Sequence, residues 1–161
     1  MGRFAFLIFM SLTIGPALLA NASTVAESRT AGNGHTFTQN FDYPVLGSAW
    51  KDDSSLIWGE LVVDKQGNDL DLTQAEAAAY CDRIGARLPT QMEFFYLDIY
   101  LGDDGHGSFD PLLLPNIEGH MLWSSTFNSI SPTSAYVFHG STGLIDYMNV
   151  ENRISFRCVA R

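Results

Sequence analysis

Basic residues are scarce in this 161-residue chain: nine lysines and arginines stand against eighteen aspartates and glutamates, and no two of the nine are neighbours. A chain with a formal charge of −9 and no Lys/Arg cluster repels nucleic acid, anionic membrane surfaces and sulfated polysaccharide at long range, which excludes all three as general partners. Cysteine is equally sparse, with only Cys81 and Cys158. The four histidines, His35, His106, His120 and His139, never stand at i, i+2 or i, i+4, so no strand or helix face carries a zinc-binding pair. There is no Gly-x-Ser-x-Gly elbow, and Ser124, Ser125 and Ser141 lack the base and orienting group that a nucleophile requires. The sequence therefore predicts no catalytic machinery.

Long apolar runs are absent except at the start. Phe4 to Met10 continues apolar to Leu19 behind a single charge, Arg3, and Ala20-Asn21-Ala22 places small residues at −3 and −1 of a cleavage position. That order predicts a cleavable secretory signal over residues 1–22 and an exported product: periplasmic, cell-surface or secreted. A membrane anchor needs about twenty uninterrupted apolar residues, whereas Ser11, Thr13, Gly15 and Pro16 interrupt this stretch. No transmembrane segment is expected once the signal is removed. In an oxidising compartment an even pair of cysteines most often forms a bridge, the alternatives being a metal pair or a reactive thiol.

What remains is enough for one domain. The hydrophobic fraction of 46% belongs to a globular chain rather than a disordered one. Residues 23–40, rich in Ser, Thr, Ala, Gly and Asn, read as a flexible leader, and 41–161 as the folded domain. Strand-like alternation around Leu56, Trp58, Leu61 and Val63 leads to a turn at Lys65-Gln66-Gly67-Asn68-Asp69. Thr73 with Glu76, and Thr90 with Glu93, form two capping boxes. The first predicts a helix ending near Ile84 before Gly85, with Ala77, Cys81 and Ile84 on one face. The second predicts an apolar helix running from Phe94 to Leu101. Residues 102–122 read as a long loop. Strands are then expected at 122–127, 135–139, 144–147 and 154–159, the last with Ile154, Phe156 and Cys158 on one face. The class is α+β: two helices, a small, mostly antiparallel sheet and a long loop. Trp50, Trp58 and Trp123 are expected in the core.

Several of these residues resemble a known family. Ala79-Tyr80-Cys81, Gly85-Ala86-Arg87-Leu88-Pro89-Thr90 with Glu93, Trp123-Ser124-Ser125-Thr126 and Phe156-Arg157-Cys158-Val159 are similar to the signature of bacterial C-type-lectin-like domains. These are the type found at the C-terminus of the collagen-like adhesin and at the tips of intimin and invasin, and more distantly in the formylglycine-generating enzymes. Over residues 50–161 the resemblance implies the C-type-lectin-like fold, a disulfide from the first helix to the last strand, and binding through the long loop. The calcium triplets of the animal lectins are absent. The cysteines match the structural bridge, not the copper-holding pair of the enzymes, so neither activity is implied.

The candidate binding residues are accordingly Asp103, Asp104, His106, Phe109 and Asp110 in the long loop, with Asn128 in the 128–134 connection. No cofactor is expected. Calcium among Asp103, Asp104 and Asp110 is one reading of that cluster, and a solvated acidic loop the other. The function expected is an exported, non-catalytic recognition or adhesion domain for a protein or glycan partner. The alternative is a structural or assembly subunit of the bacterial envelope.

Overall fold

The structure is a computed structural model in which residues 26–30, 34–97, 100–101, 107–108 and 114–161 are described. It is an α+β fold. The main sheet has the order β1 (Ser28–Thr30), β2 (Thr36–Tyr43), β3 (Gly47–Asp52), β4 (Ile57–Leu61) and β10 (Arg157–Ala160), every neighbour antiparallel. A second antiparallel sheet holds β7 (Met121–Phe127), β8 (Ser134–His139) and β9 (Ile145–Asn149). Between the sheets in sequence come α1 (Gln74–Arg83), α2 (Gln91–Phe95) and a small ribbon of β5 (Tyr100–Leu101) with β6 (Gly107–Ser108).

Both helices start where their capping boxes predict. Thr73 Oγ1 accepts from the Glu76 amide while Glu76 accepts from the Thr73 amide at 3.0 Å, and Thr90 with Glu93 repeats the arrangement. Gly85 ends α1 with φ +74°, a left-handed conformation that a residue without Cβ adopts freely. Ala77 and Cys81 face inward as expected, but Ile84, the cap residue, turns out to solvent. The second helix is much shorter than predicted. It closes at Tyr96, and Met92, Phe95 and Tyr96 are exposed. Within its five residues only Phe94 enters the core, stacking on Phe138 with ring centroids 4.9 Å apart, and Leu97 is buried just beyond its end.

The leader also requires correction. Residues 28–30 and 36–40 are paired strands of the main sheet, and Phe37 is buried. The polar composition of this stretch concealed a two-residue period in which Phe37 faces the core while its neighbours face water.

The core consists of two clusters. Trp50, Trp58, Phe94, Leu114, Ile117, Leu122 and Phe138 fill the space over the main sheet. Ala77, Cys81, Leu88, Trp123, Phe156 and Cys158 fill the space between α1, β7 and β10. The three tryptophans are fully buried. Trp123 Nε1 donates to the Leu72 carbonyl and Gln74 Nε2 to the Ser124 carbonyl, tying α1 to β7. Cys81 and Cys158 are joined, with Cα atoms 5.5 Å apart, and Ile154, Phe156 and Cys158 lie in one cluster as their alternation predicts.

Candidate functional site: a cleft walled by the long segment

The end of the long segment, from Leu114 to His120, folds back onto the main sheet, and two devices hold it there. Arg157 on β10 is completely buried. Its Nη1 donates to the Gly59 carbonyl of β4 at 3.0 Å and its Nη2 to the Pro115 carbonyl, so one guanidinium ties strand to segment. Burial lowers its pKa to about 10, opposed by the nearby Glu60 carboxylate, and it stays charged at neutral pH. At the far end, the Gly140 amide donates to the His120 carbonyl at 2.8 Å. A Cβ at Gly140 would collide with the Ile117 carbonyl, so only glycine permits this approach.

A cleft of about 800 Å³ opens between that segment and the sheet. Pro115, Asn116, Glu118 and His120 form one wall; Glu60, Leu61 and Val63 form the other; Gly67 and Asp69 of the predicted turn close one end, and Arg29 also lines it. The turn is made rigid by Asp64, whose carboxylate accepts from the Asn68 and Gln66 amides at 2.9 and 2.8 Å. The Asn68 amide and side chain hold that carboxyl below the usual range.

His120 is the meeting point of turn, segment and sheet. Its Nδ1 lies 3.3 Å from Ser155 Oγ and 3.6 Å from Asp69 Oδ2, and Ser155 Oγ donates to Asp71 Oδ1 at 2.8 Å. A serine, a histidine and two aspartates in contact invite comparison with a hydrolytic triad, but the geometry differs. The single hydroxyl proton is directed to Asp71, which leaves Ser155 Oγ an acceptor toward the imidazole, for the tautomer that carries its proton on Nδ1. Serine and aspartate also face the same ring nitrogen, whereas a triad needs opposite ones. The group joins turn, segment and sheet.

The other serines considered as nucleophiles are likewise committed or isolated. Ser124 Oγ is bonded within its own strand and Ser125 Oγ to the Pro89 carbonyl, while Ser141 lies exposed in the β8–β9 turn.

A second, smaller cleft of about 360 Å³ lies near the opposite end of β3, with His35, Asp53, Glu93, Tyr96 and Arg161 around Phe37 and Leu56. His35 Nδ1 is 2.8 Å from Asp53 Oδ1, and this bond holds the Asp53 carboxyl below its usual range. Glu93 accepts from both Arg87 terminal nitrogens, one at 2.7 Å, and from the Thr90 amide at 2.7 Å. These are structural bonds linking the α1–α2 connection to the start of α2.

Asp103, Asp104, His106, Phe109 and Asp110 lie outside the described residues, and with them the calcium reading. Asn128 is nearly buried. Its Oδ1 accepts from the Ile130 amide at 2.9 Å and its backbone amide donates to the Ser134 carbonyl, so it shapes the 128–134 connection and leaves Ile130 as the exposed tip. Among the described residues no group of three or more His, Cys, Asp or Glu side chains is gathered around a common point for a metal ion, and no helix is long and apolar enough to cross a membrane.

The cleft residues Arg29, Glu60, Asp69, Glu118 and His120 were not singled out by their sequence. They come from four separate stretches brought together by the pairing of the main sheet, the contacts of Arg157 and Gly140, and His120 against Asp69. A pairing between a buried arginine and a distant carbonyl leaves no periodic trace. Comparison with protein-family models, with curated proteins and with solved structures returned no match.

Proposed function

We propose that this chain is an exported, non-catalytic recognition domain of the bacterial C-type-lectin-like type, binding a protein or glycan partner at the cleft beside its long segment. The observation that carries the reading is the cleft itself: about 800 Å³, with Pro115, Asn116, Glu118 and His120 of the long segment as one wall. A concave site of this size with convergent polar groups is the usual form of a binding site. Its segment is anchored by Arg157 through the Pro115 carbonyl, and its described residues 114–120 carry no nucleophile–base pair. The C-type-lectin-like assignment draws support from the signature residues, whose contacts are structural. Cys81–Cys158 links α1 to β10, and Arg87–Glu93 links the α1–α2 connection to the second capping box.

The test is a glycan and protein array probed with the mature domain, followed by the charge-neutral variant Glu60→Gln/Asp69→Asn/Glu118→Gln. The expected result is a ligand captured by the parent and lost by the variant, with the thermal transition unchanged. A ligand retained by the variant would move the site elsewhere.

One observation favours the alternative of an envelope assembly subunit. Val45, Val63 and Ile84 are exposed around a shallow groove of about 290 Å³ that also includes Leu46, Tyr80 and Cys158. Permanent burial of this apolar surface would give a stable complex in envelope extracts, recovered with the protein and disrupted by Ile84→Glu, a residue outside the larger cleft.

A further inference from the structure

Three carboxylates, those of Glu60, Asp69 and Glu118, line the cleft. The guanidinium that shares it belongs to Arg29, and Arg29 comes from β1, the three-residue strand at the margin of the main sheet. Arg29 Cζ sits 4.5 Å from the centroid of the Trp50 ring, and its Nε donates to Glu27 at 2.8 Å. Trp50 is fully buried, and its Nε1 has no hydrogen-bond partner among the described residues. The sequence thus places on a buried indole a guanidinium that also lines an acidic cleft, using the shortest strand of the sheet to do so.

We infer that β1 is a self-supplied occupant of the recognition site, standing in for an arginine-bearing extended segment of a protein partner. The inference rests on the cleft being that site. The incoming segment displaces β1, pairs antiparallel with β2, and sets its own guanidinium on Trp50.

Three features of the molecule fit this exchange. The strand pairs only with β2, through Ser28↔Thr38, Arg29↔Phe37 and Thr30↔Thr36, so its removal breaks one short ladder that a new strand restores. Its outer residues are exposed and only Arg29 is half-buried, so one side chain carries its attachment to the core face. An arginine stacked on tryptophan is a favourable cation–π pair, and the formal charge of −9 attracts a basic segment from a distance. A neutral glycan offers neither the cation nor the backbone ladder.

The probe is the acetylated, amidated hexapeptide Ala-Glu-Ser-Arg-Thr-Ala, titrated calorimetrically into the mature protein and into Arg29→Ala. The variant should bind at least fivefold more tightly than the parent. The gain should vanish when the peptide arginine is replaced by alanine. An Arg29→Ala protein with an unchanged thermal transition that binds no more tightly overturns the inference, as does equal binding of the two peptides.

Should Arg29→Ala fold poorly, hydrogen exchange on the parent with saturating peptide decides the matter. Amides 28–30 should lose protection while those of 36–38 keep it; retained protection at 28–30 overturns the inference. An array ligand captured equally by parent and variant would end the arginine stand-in while leaving the cleft as the recognition site.

Discussion

Two neighbouring residues of β10, Arg157 and Cys158, lie in very different surroundings. Around Cys158 the chain is dry and covalently fixed: α1, β7 and β10 share a cluster of Ala77, Leu88, Trp123 and Phe156 closed by the disulfide. One residue earlier, buried Arg157 is held by two backbone carbonyls, one of them that of Pro115 in the cleft wall, with the Glu60 carboxylate nearby. On the proposed function, the difference assigns stability and recognition to separate parts of this small domain. The bridge and its cluster hold the scaffold, so the segment at 114–120 can be anchored at a few points and present polar groups outward.

The strongest way to break that division is to remove the bridge. Cys81→Ala/Cys158→Ala frees a loop of sequence separation 77 and should cost about 4 kcal/mol in denaturant unfolding on the chain-entropy account. A loss below 1 kcal/mol would mean that the cluster holds without it. Next comes Arg157→Ala, which leaves the Gly59 and Pro115 carbonyls unpaired inside the protein and should cost about 3 kcal/mol. The division predicts that proteolytic nicking near 114–118 then precedes global unfolding. Simultaneous loss would place Arg157 with the scaffold rather than the cleft.

A smaller effect sharpens the comparison at Glu93. Burial pushes its carboxyl upward, but donors from Arg87 and Thr90 outweigh that and hold it below the ordinary glutamate value. A depressed carboxylate contributes stability that is fully present above its unfolded pKa and is lost as pH falls through the lower, folded value. Glu93→Gln should therefore cost about 2 kcal/mol at neutral pH, and its stability should converge with that of the parent in acid. Parallel curves down to strong acid would remove the ion pair from the account. Thr73→Ala, which loses one capping hydroxyl, should cost about 1 kcal/mol by thermal melting and leave ligand capture untouched.

How much of this was legible beforehand followed the range of the interactions. Thr73 with Glu76 and Thr90 with Glu93 are bonded within three residues, so spacing alone located both helix starts. The 154–156–158 alternation placed these three residues in one cluster because a two-residue period is written locally, although the strand begins only at Arg157 and is buried on both faces. The length of α2 was misread because Phe95 and Tyr96 are apolar without being buried, and composition does not distinguish the two. The β1–β2 pair was misread because a single Phe37 anchors a polar stretch. The cleft was illegible for a different reason. Arg157 reads as one residue of a familiar tetrapeptide, and nothing near it in the chain states that its partners are the carbonyls of Gly59 and Pro115. Neither does the glycine at 140 announce that its missing side chain makes room for Ile117.

Native-state hydrogen exchange on the mature protein addresses the separation of scaffold from proposed recognition site most directly. Amides of α1, β7, β8 and β10 should open only with global unfolding, while those of β1 and of residues 116–120 exchange through local openings several kcal/mol less costly. Protection that is uniform from β1 to β10, with every amide following the global transition, would contradict the account.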